Sequence, residues 1–277
     1  MNRIDAYELV IEAGRTERQY WKDLWRYREL LYFLAWRDIV VRYKQTAIGI
    51  GWALLRPLIT MLVFTIVFGR LAGLPSEGVP YPVLVLAAMV PWQFFANALS
   101  EAGGSLVGNA NLISKIYFPR LLVPASAVLA NVVELGLSAI ILALLLIWYQ
   151  VAVGWQILTL PFFVAISFFC ALGGGLLIAA LNVKYRDFRY VVPFIVQLGL
   201  YISPVGFSST IVPERWRLLY SFNPLVSAID GFRWSLTGGK TALYLPGVVV
   251  SCAVTVLLIV FGLRLFRRTE RTFADLI

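Results

Sequence analysis

From Trp52 onward the chain is built of long apolar runs separated by short polar stretches. Read with a window of about 19 residues, the runs fall near 52–72, 81–100, 121–148, 157–181, 190–208 and 243–264. A bilayer is crossed by about 18 or more apolar residues in a helix, and several of these windows exceed that requirement. None alternates with a period of two, which excludes barrel strands. The expected fold is an all-α polytopic membrane protein with six transmembrane helices. In that division residues 1–51 form a cytoplasmic and interfacial N-terminal segment, 52–264 the spanning domain and 265–277 a cytoplasmic tail.

The stretch before the first run has helical rather than continuous apolar patterning. Tyr20, Leu24, Tyr27, Leu31 and Leu34 share one stripe, and Arg18, Lys22, Arg26 and Glu29 another. A second piece repeats the device: Trp36, Ile39, Val40 and Tyr43 make an apolar face, with Arg37, Lys44 and Gln45 opposite. Such an amphipathic helix would lie in the headgroup region of the membrane, touching its lipids. With no continuous apolar core, this segment is not a cleavable signal peptide, and the first span directs insertion. Gly49 and Gly51 would supply a joint into that span. Arg56-Pro57 follows one turn inside, where the proline removes a helix hydrogen bond to the carbonyl of Ala53 and predicts a kink. The 208–242 stretch has many aromatics but too many charges and breakers to span. Short re-entrant or interfacial helices between the fifth and sixth spans satisfy both facts.

Composition agrees with the pattern: 60% of the 277 residues are hydrophobic and 14% charged. The net charge of +9 is a topology signal. Of 24 lysines and arginines, only Arg70, Arg215, Arg217, Arg233 and Lys240 fall on the face opposite the termini. Both termini are therefore expected in the cytoplasm, and the basic charge needs no nucleic acid to explain it. There is no histidine, which removes imidazole acid–base chemistry and His-ligated metal. Cys170 and Cys252 both sit in apolar runs and suggest neither a disulfide nor a metal site.

Few motifs carry chemistry. The stretch LTGGKT, Leu236 to Thr241, resembles the end of a phosphate-binding loop. Trp234 stands where that loop needs its first glycine, so the stretch reads as a turn and the chain is not expected to hydrolyse ATP. Glu134, one turn after Asn131 in the third run, reads as a packing contact, because the sequence offers no ionic partner nearby. Trp92, Phe94, Phe95, Tyr201 and Phe207 could present flat faces to sugar rings or serve as interface and packing aromatics. Between the second and third runs, GNANLISKIYFPRLLVP carries a polar helix start and then an apolar trio. That is the form of a short helix docking in a partner's groove.

Four stretches together resemble a known family. They are RDIVVRYKQTAIGIGWALLRPLITMLVFTIVFG, the block from VPWQFFANALS to NANLISKIYFPRLLVP, LNVKYRDFRYVVPFIVQLGLYISPVGF, and YSFNPLVSAIDGFRW. In this order they are similar to membrane subunits of type-2 ABC exporters of polysaccharides, which move O-antigen, capsule or teichoic acid across the bacterial inner membrane. The resemblance implies a homodimer of six-span subunits bound to two copies of a separate ATPase, which would hold the ATP and Mg²⁺; this chain would carry no cofactor and no catalytic residue. It implies a coupling helix at Asn109, Asn111, Lys115, Ile116, Tyr117 and Phe118, with Lys184, Tyr185 and Arg186 as a secondary contact. Trp216, Phe222, Asn223, Pro224 and Trp234 would belong to an outer gate. The pore would follow the dimer axis, lined by the first and fifth spans, for a polyprenyl-pyrophosphate-linked glycan. The N-terminal extension before Trp36 exceeds what the family core requires.

Arg37, Arg42, Lys44 and Arg56 are candidates to hold the anionic pyrophosphate at the cytoplasmic entrance, since guanidinium forks suit phosphate. The competing reading is snorkelling of all four toward lipid phosphate. An exporter of small hydrophobic compounds would share the fold but needs an apolar pocket. A membrane-embedded glycosyl or acyl transferase would need paired acids or histidine near one interface. Glu101, Glu134 and Asp187 are far apart in sequence.

Overall fold

The computed structural model describes residues 17–44, 49–185, 187–270 and 273, and among these every regular element is helical. Two helices, α1 (Glu17–Arg26) and α2 (Arg28–Lys44), precede α3 (Gly49–Phe64), which continues as a π-helical segment over Thr65–Leu71. Then come α4 (Tyr81–Gly108), the short α5 (Ala110–Lys115), α6 (Leu122–Trp148) and α7 (Leu160–Lys184). The chain closes with α8 (Phe188–Ile202), α9 (Glu214–Tyr220), α10 (Pro224–Leu236) and α11 (Leu245–Glu270). By length and composition four segments can cross a membrane: α4, α6, Trp155–Lys184 and α11. α8 is apolar but shorter.

Several boundaries differ from the hydropathy pattern. α4 continues to Gly108, so most of the expected 101–120 loop is helix. α8 stops at Ile202 because Pro204 lacks the N–H that another turn needs, and Phe207 lies beyond it in irregular backbone. Gly49 and Gly51 are already inside the first turn of α3, so they are not a joint between two helices. Gln45 and Arg186 lie outside the described residues.

The core forms around α7, which packs against α4, α11 and α10. Small residues set these distances. A Cβ on Gly262 of α11 would stand 2.4 Å from the carbonyl oxygen of Gly173, and one on Gly173 would stand 2.8 Å from the backbone nitrogen of Ile259. On the other side of α7 a Cβ on Gly175 would meet Ala102 of α4 at 2.6 Å. Backbone meets backbone along this seam, the arrangement by which membrane helices gain contact without a hydrophobic driving force.

At the end of the molecule bearing α1, α5 and the end of α11, a second cluster gathers Leu34, Leu106, Ile113, Phe118, Leu122 and Phe266. Tyr20, Leu24, Tyr27 and Leu31 pack on it, so the first predicted stripe faces protein. The opposite side of α1 and α2 leaves Trp21, Trp25, Tyr32 and Trp36 outward. Arg120 fastens this end: its backbone N–H donates to Glu270 at 3.0 Å and its guanidinium to the Glu270 carbonyl. Burial first, and then the neighbouring Glu270 carboxylate, push the Tyr20 phenol above its ordinary value.

Arg233 organises the opposite end. Its side chain is 2% exposed and donates to the carbonyls of Leu84 (2.9 Å), Phe207 (2.9 Å) and Val205 (3.0 Å), with Asp230 at 3.9 Å. Irregular backbone after α8 would otherwise bury unpaired carbonyls. The 208–242 stretch does form short helices, and α10 is a buried core element rather than a surface one. Asn223 caps α10 by accepting from the Leu225 N–H at 3.1 Å, and Pro224 takes the first helical position. LTGGKT is the end of this helix, turning through Gly238 (φ 62°) and Gly239 (φ 81°), conformations that glycine adopts without strain.

Three outcomes are expected of purified protein. Gly262→Leu should lower stability by about 3 kcal/mol or more through overpacking, read as loss of monodisperse protein in detergent. Gly104→Ala, where a Cβ meets nothing, should be neutral or raise stability by about 0.5–1 kcal/mol. Arg233→Met should cost about 3–5 kcal/mol by leaving Asp230 and three carbonyls buried and unpaired, read as a lower melting temperature.

Candidate functional site

A cavity of about 660 Å³ opens among α3, α4, α6 and α8. Its polar wall comes mainly from α4, which presents Gln93, Asn97, Ser100 and Glu101 along one face at the i, i+4, i+7, i+8 spacing. Glu134 and Ser138, one turn apart on α6, face it, and α8 adds Gln197. From α3 come Arg56, Pro57 and Thr60, with the Thr60 hydroxyl donating to the Arg56 carbonyl at 2.9 Å. The rest of the wall is apolar: Trp92 and Phe94, mostly buried, with Met89, Val90, Leu135, Val196 and Leu200. Gly199 is what lets α8 approach Trp92, since a Cβ there would stand 2.7 Å from the indole.

Arg42 reaches this wall from α2. Its Nη1 donates to Glu134 Oε1 at 2.7 Å and to Asn131 Oδ1 at 3.2 Å, and its Nη2 pairs with Glu101 Oε2. Both carboxylates accept a further amide: Asn131 Nδ2 to Glu101 at 2.8 Å, and Asn97 Nδ2 to Glu134 at 2.9 Å. Glu134 thus has an ionic partner, and the expectation of a solitary packing carboxylate is corrected. Glu101 and Glu134, distant in sequence, meet across one guanidinium. Burial opposes the charge on Arg42, but the two carboxylates outweigh it and hold its pKa above the ordinary value.

The four entrance cations therefore part company. Arg37 is bound to Asp38 at 2.7 Å and to Asn109 Oδ1 at 2.9 Å and does not line the cavity. Lys44 is exposed and also outside it. Arg42 lines it but is saturated by carboxylates. Arg56 lines it with its side chain exposed and with no ionic or hydrogen-bonded partner among the described residues. Of the five candidate aromatics, Trp92 and Phe94 line the cavity. Phe95 packs behind them, 5.8 Å from Trp92, whereas Tyr201 is 62% exposed on α8 and Phe207 sits at the Arg233 end.

The docking candidates also divide. Asn111, Lys115, Ile116 and Tyr117 are exposed on and after α5, while Phe118 is 4% exposed inside the cluster beneath, so it is not part of a protruding knob. Asn109 is spent on Arg37 and on the Ser105 carbonyl at 2.9 Å. Lys184 and Tyr185 are exposed. Trp216 and Phe222 are exposed around α9, and Trp234 stacks edge-on with Trp155 at 6.0 Å. The polar stripe of α4 and the Arg42 cluster were missed by the sequence reading. Gln93, Asn97 and Glu101 at fourfold spacing inside an apolar helix were the visible signal.

Known proteins share this arrangement of sequence. The O-antigen export system permease protein RfbA of Klebsiella pneumoniae is 24% identical over 257 residues, 90% of this chain and 95% of that protein. RfbA of Myxococcus xanthus is 27% identical over 215 residues, 76% of this chain and 82% of its own length. The capsule polysaccharide export inner-membrane protein CtrC of Neisseria meningitidis serogroup B is 22% identical over 259 residues, 91% of this chain and 95% of that protein. The description of the ABC-2 type transporter family matches residues 29–237. That match runs from α2 to the end of α10 and takes in every wall of the cavity: the chain belongs to the ABC-2 type transporter family.

Proposed function

We propose that this chain is the permease subunit of an ATP-driven exporter that carries a polyprenyl-pyrophosphate-linked polysaccharide outward through the bacterial inner membrane. The observation that carries the reading is the composition of the cavity wall. A row of amides and hydroxyls suits sugar hydroxyls, and one guanidinium without an ionic partner among the described residues, Arg56, suits a phosphate. An exporter of small hydrophobic compounds needs an apolar pocket, and the α4 stripe argues against one. The relatives named for O-antigen and capsule export support the same substrate class.

In this reading two copies of the chain enclose the pathway. α3 and α8 flank the cavity, and each turns apolar side chains outward, Ile59 and Leu62 on one and Phe194 and Leu198 on the other. α3 with its π-helical continuation and α8 bring the spans to six, with both termini cytoplasmic. The energy comes from a separate ATPase, one copy on each permease. Its docking point is the exposed end of α5 with Lys115, Ile116 and Tyr117, and Lys184 and Tyr185 lie on the neighbouring turn. The exposed Trp21, Trp25 and Trp36 rest on membrane lipid at the headgroup level.

Transport of lipid-linked glycan by the purified complex in liposomes tests the reading; a wild-type complex that moves none ends it. Arg56→Gln should reduce transport by about 10-fold or more, the worth of a charge-assisted hydrogen bond, while Lys44→Gln leaves it near wild type. At the docking end, Lys115→Ala with Ile116→Ala should weaken co-purification of the ATPase without changing the melting temperature. Phe118→Ala should instead destabilise the permease by about 3–5 kcal/mol.

A further inference from the structure

Arg42 does not behave as a ligand-binding cation. Its two terminal nitrogens are committed to carboxylates on two different helices, Glu101 on α4 and Glu134 on α6. The cluster of one guanidinium and two carboxylates carries a net charge of minus one. Each carboxylate is further held by an asparagine, so an incoming anion meets negative charge where Arg42 stands. What the arrangement does is mechanical. It fixes the end of α2 to two walls of the cavity at once.

The same helix is tied a little more than one turn earlier to the junction of α4 and α5. There Arg37 Nη2 donates to Asn109 Oδ1 at 2.9 Å, and Asn109 in turn donates to the Ser105 carbonyl. Asn109 stands at the start of α5, the proposed docking helix. α2 is a rigid helical rod between these points, since every residue from Arg28 to Lys44 is helical. A path of charge-assisted bonds therefore runs from α5 through Arg37 and Arg42 to Glu101 and Glu134. The route through α4 itself carries Glu101 and reaches Glu134 only by the single neutral amide of Asn97, whereas Arg42 holds both carboxylates on one rigid group.

We infer that Arg42 is a positioning residue that makes α2 the strut between the docking helix and the cavity wall, so that a displacement of α5 moves Glu101 and Glu134 together. The inference rests on the proposed docking of an ATPase at α5, and its test is independent of which glycan is carried. The fork geometry is essential to it. A lysine preserves the positive charge but offers one nitrogen where the guanidinium offers two, so it cannot hold carboxylates on two helices in fixed relation.

The test uses the whole complex with a reporter thiol in the cavity, Ser100→Cys, in a background with Cys170→Ala and Cys252→Ser. Thiol-labelling rate is measured with and without ATP under hydrolysing conditions. With Arg42 intact, ATP should change the rate by about fivefold or more, the range of ordinary coupling energies. Arg42→Lys should keep complex assembly and ATP hydrolysis but abolish the change. Glu101→Gln, which leaves the Arg42–Glu134 pair balanced, should keep it. The triple variant R42Q/E101Q/E134Q fills the site with neutral amides and should fold yet fail to respond, which separates the strut from a mere packing role. A response surviving in Arg42→Lys, or in the triple variant, overturns the inference, as does an unchanged rate with Arg42 intact. Absence of glycan transport alongside an intact ATP response would count against the substrate proposed above and leave the strut standing.

Discussion

A guanidinium withdrawn from water has to be surrounded by acceptors, and this protein meets that demand at both ends of α4. Near one end, Arg233 gathers the carbonyls of Leu84, Val205 and Phe207. Near the other, Arg42 gathers the carboxylates of Glu101 and Glu134. Helices in lipid gain little from hydrophobic association with one another, so fixed polar contacts and close backbone packing carry the specificity of assembly. Arg233 holds the chain after α8, and Arg42 ties α2 to α4 and α6. Both contacts position the cavity that lies between them.

Inside that cavity, electrostatics separate charges that look alike in sequence. Arg42 is neutralised more than once over, whereas Arg56 has no ionic partner among the described residues. Neutral hydroxyl-bearing groups need no charged anchor, because the amides and hydroxyls along the wall can both donate and accept hydrogen bonds. The wall is therefore graded, with the charged groups Arg42, Arg56, Glu101 and Glu134 at one part of it and a neutral surface beyond.

Much of the helical framework is legible in the sequence because apolar runs of sufficient length have few alternatives in a membrane. The stretches at 81–100, 121–148, 157–181 and 243–264 lie within the four long apolar helices or reach them to within a few residues. The first amphipathic stripe of Tyr20 to Leu34 is legible too, because periodicity names the residues that share a face, although not what that face meets. Partner choice across the fold is a different matter. Arg42 and Glu134 are separated by 92 positions, and no period connects them. Tyr117 and Phe118 lie in irregular backbone after α5, so one is exposed and the next buried without any pattern to announce it. Capping explains Asn223-Pro224 without reference to a gate, as the end of a helix explains LTGGKT.

The glycine seam of α7 has a mechanical meaning. Where Gly173 and Gly262 bring two backbones into contact, there is no layer of side chains that could change rotamer to absorb a displacement. α7 and α11 are thereby stiffened against each other with very little give. Any widening or narrowing of the cavity must then be taken up by the helices that pack through longer side chains, α3, α4, α6 and α8 together with α2. The smallest residues in the chain decide which of its helices stand still.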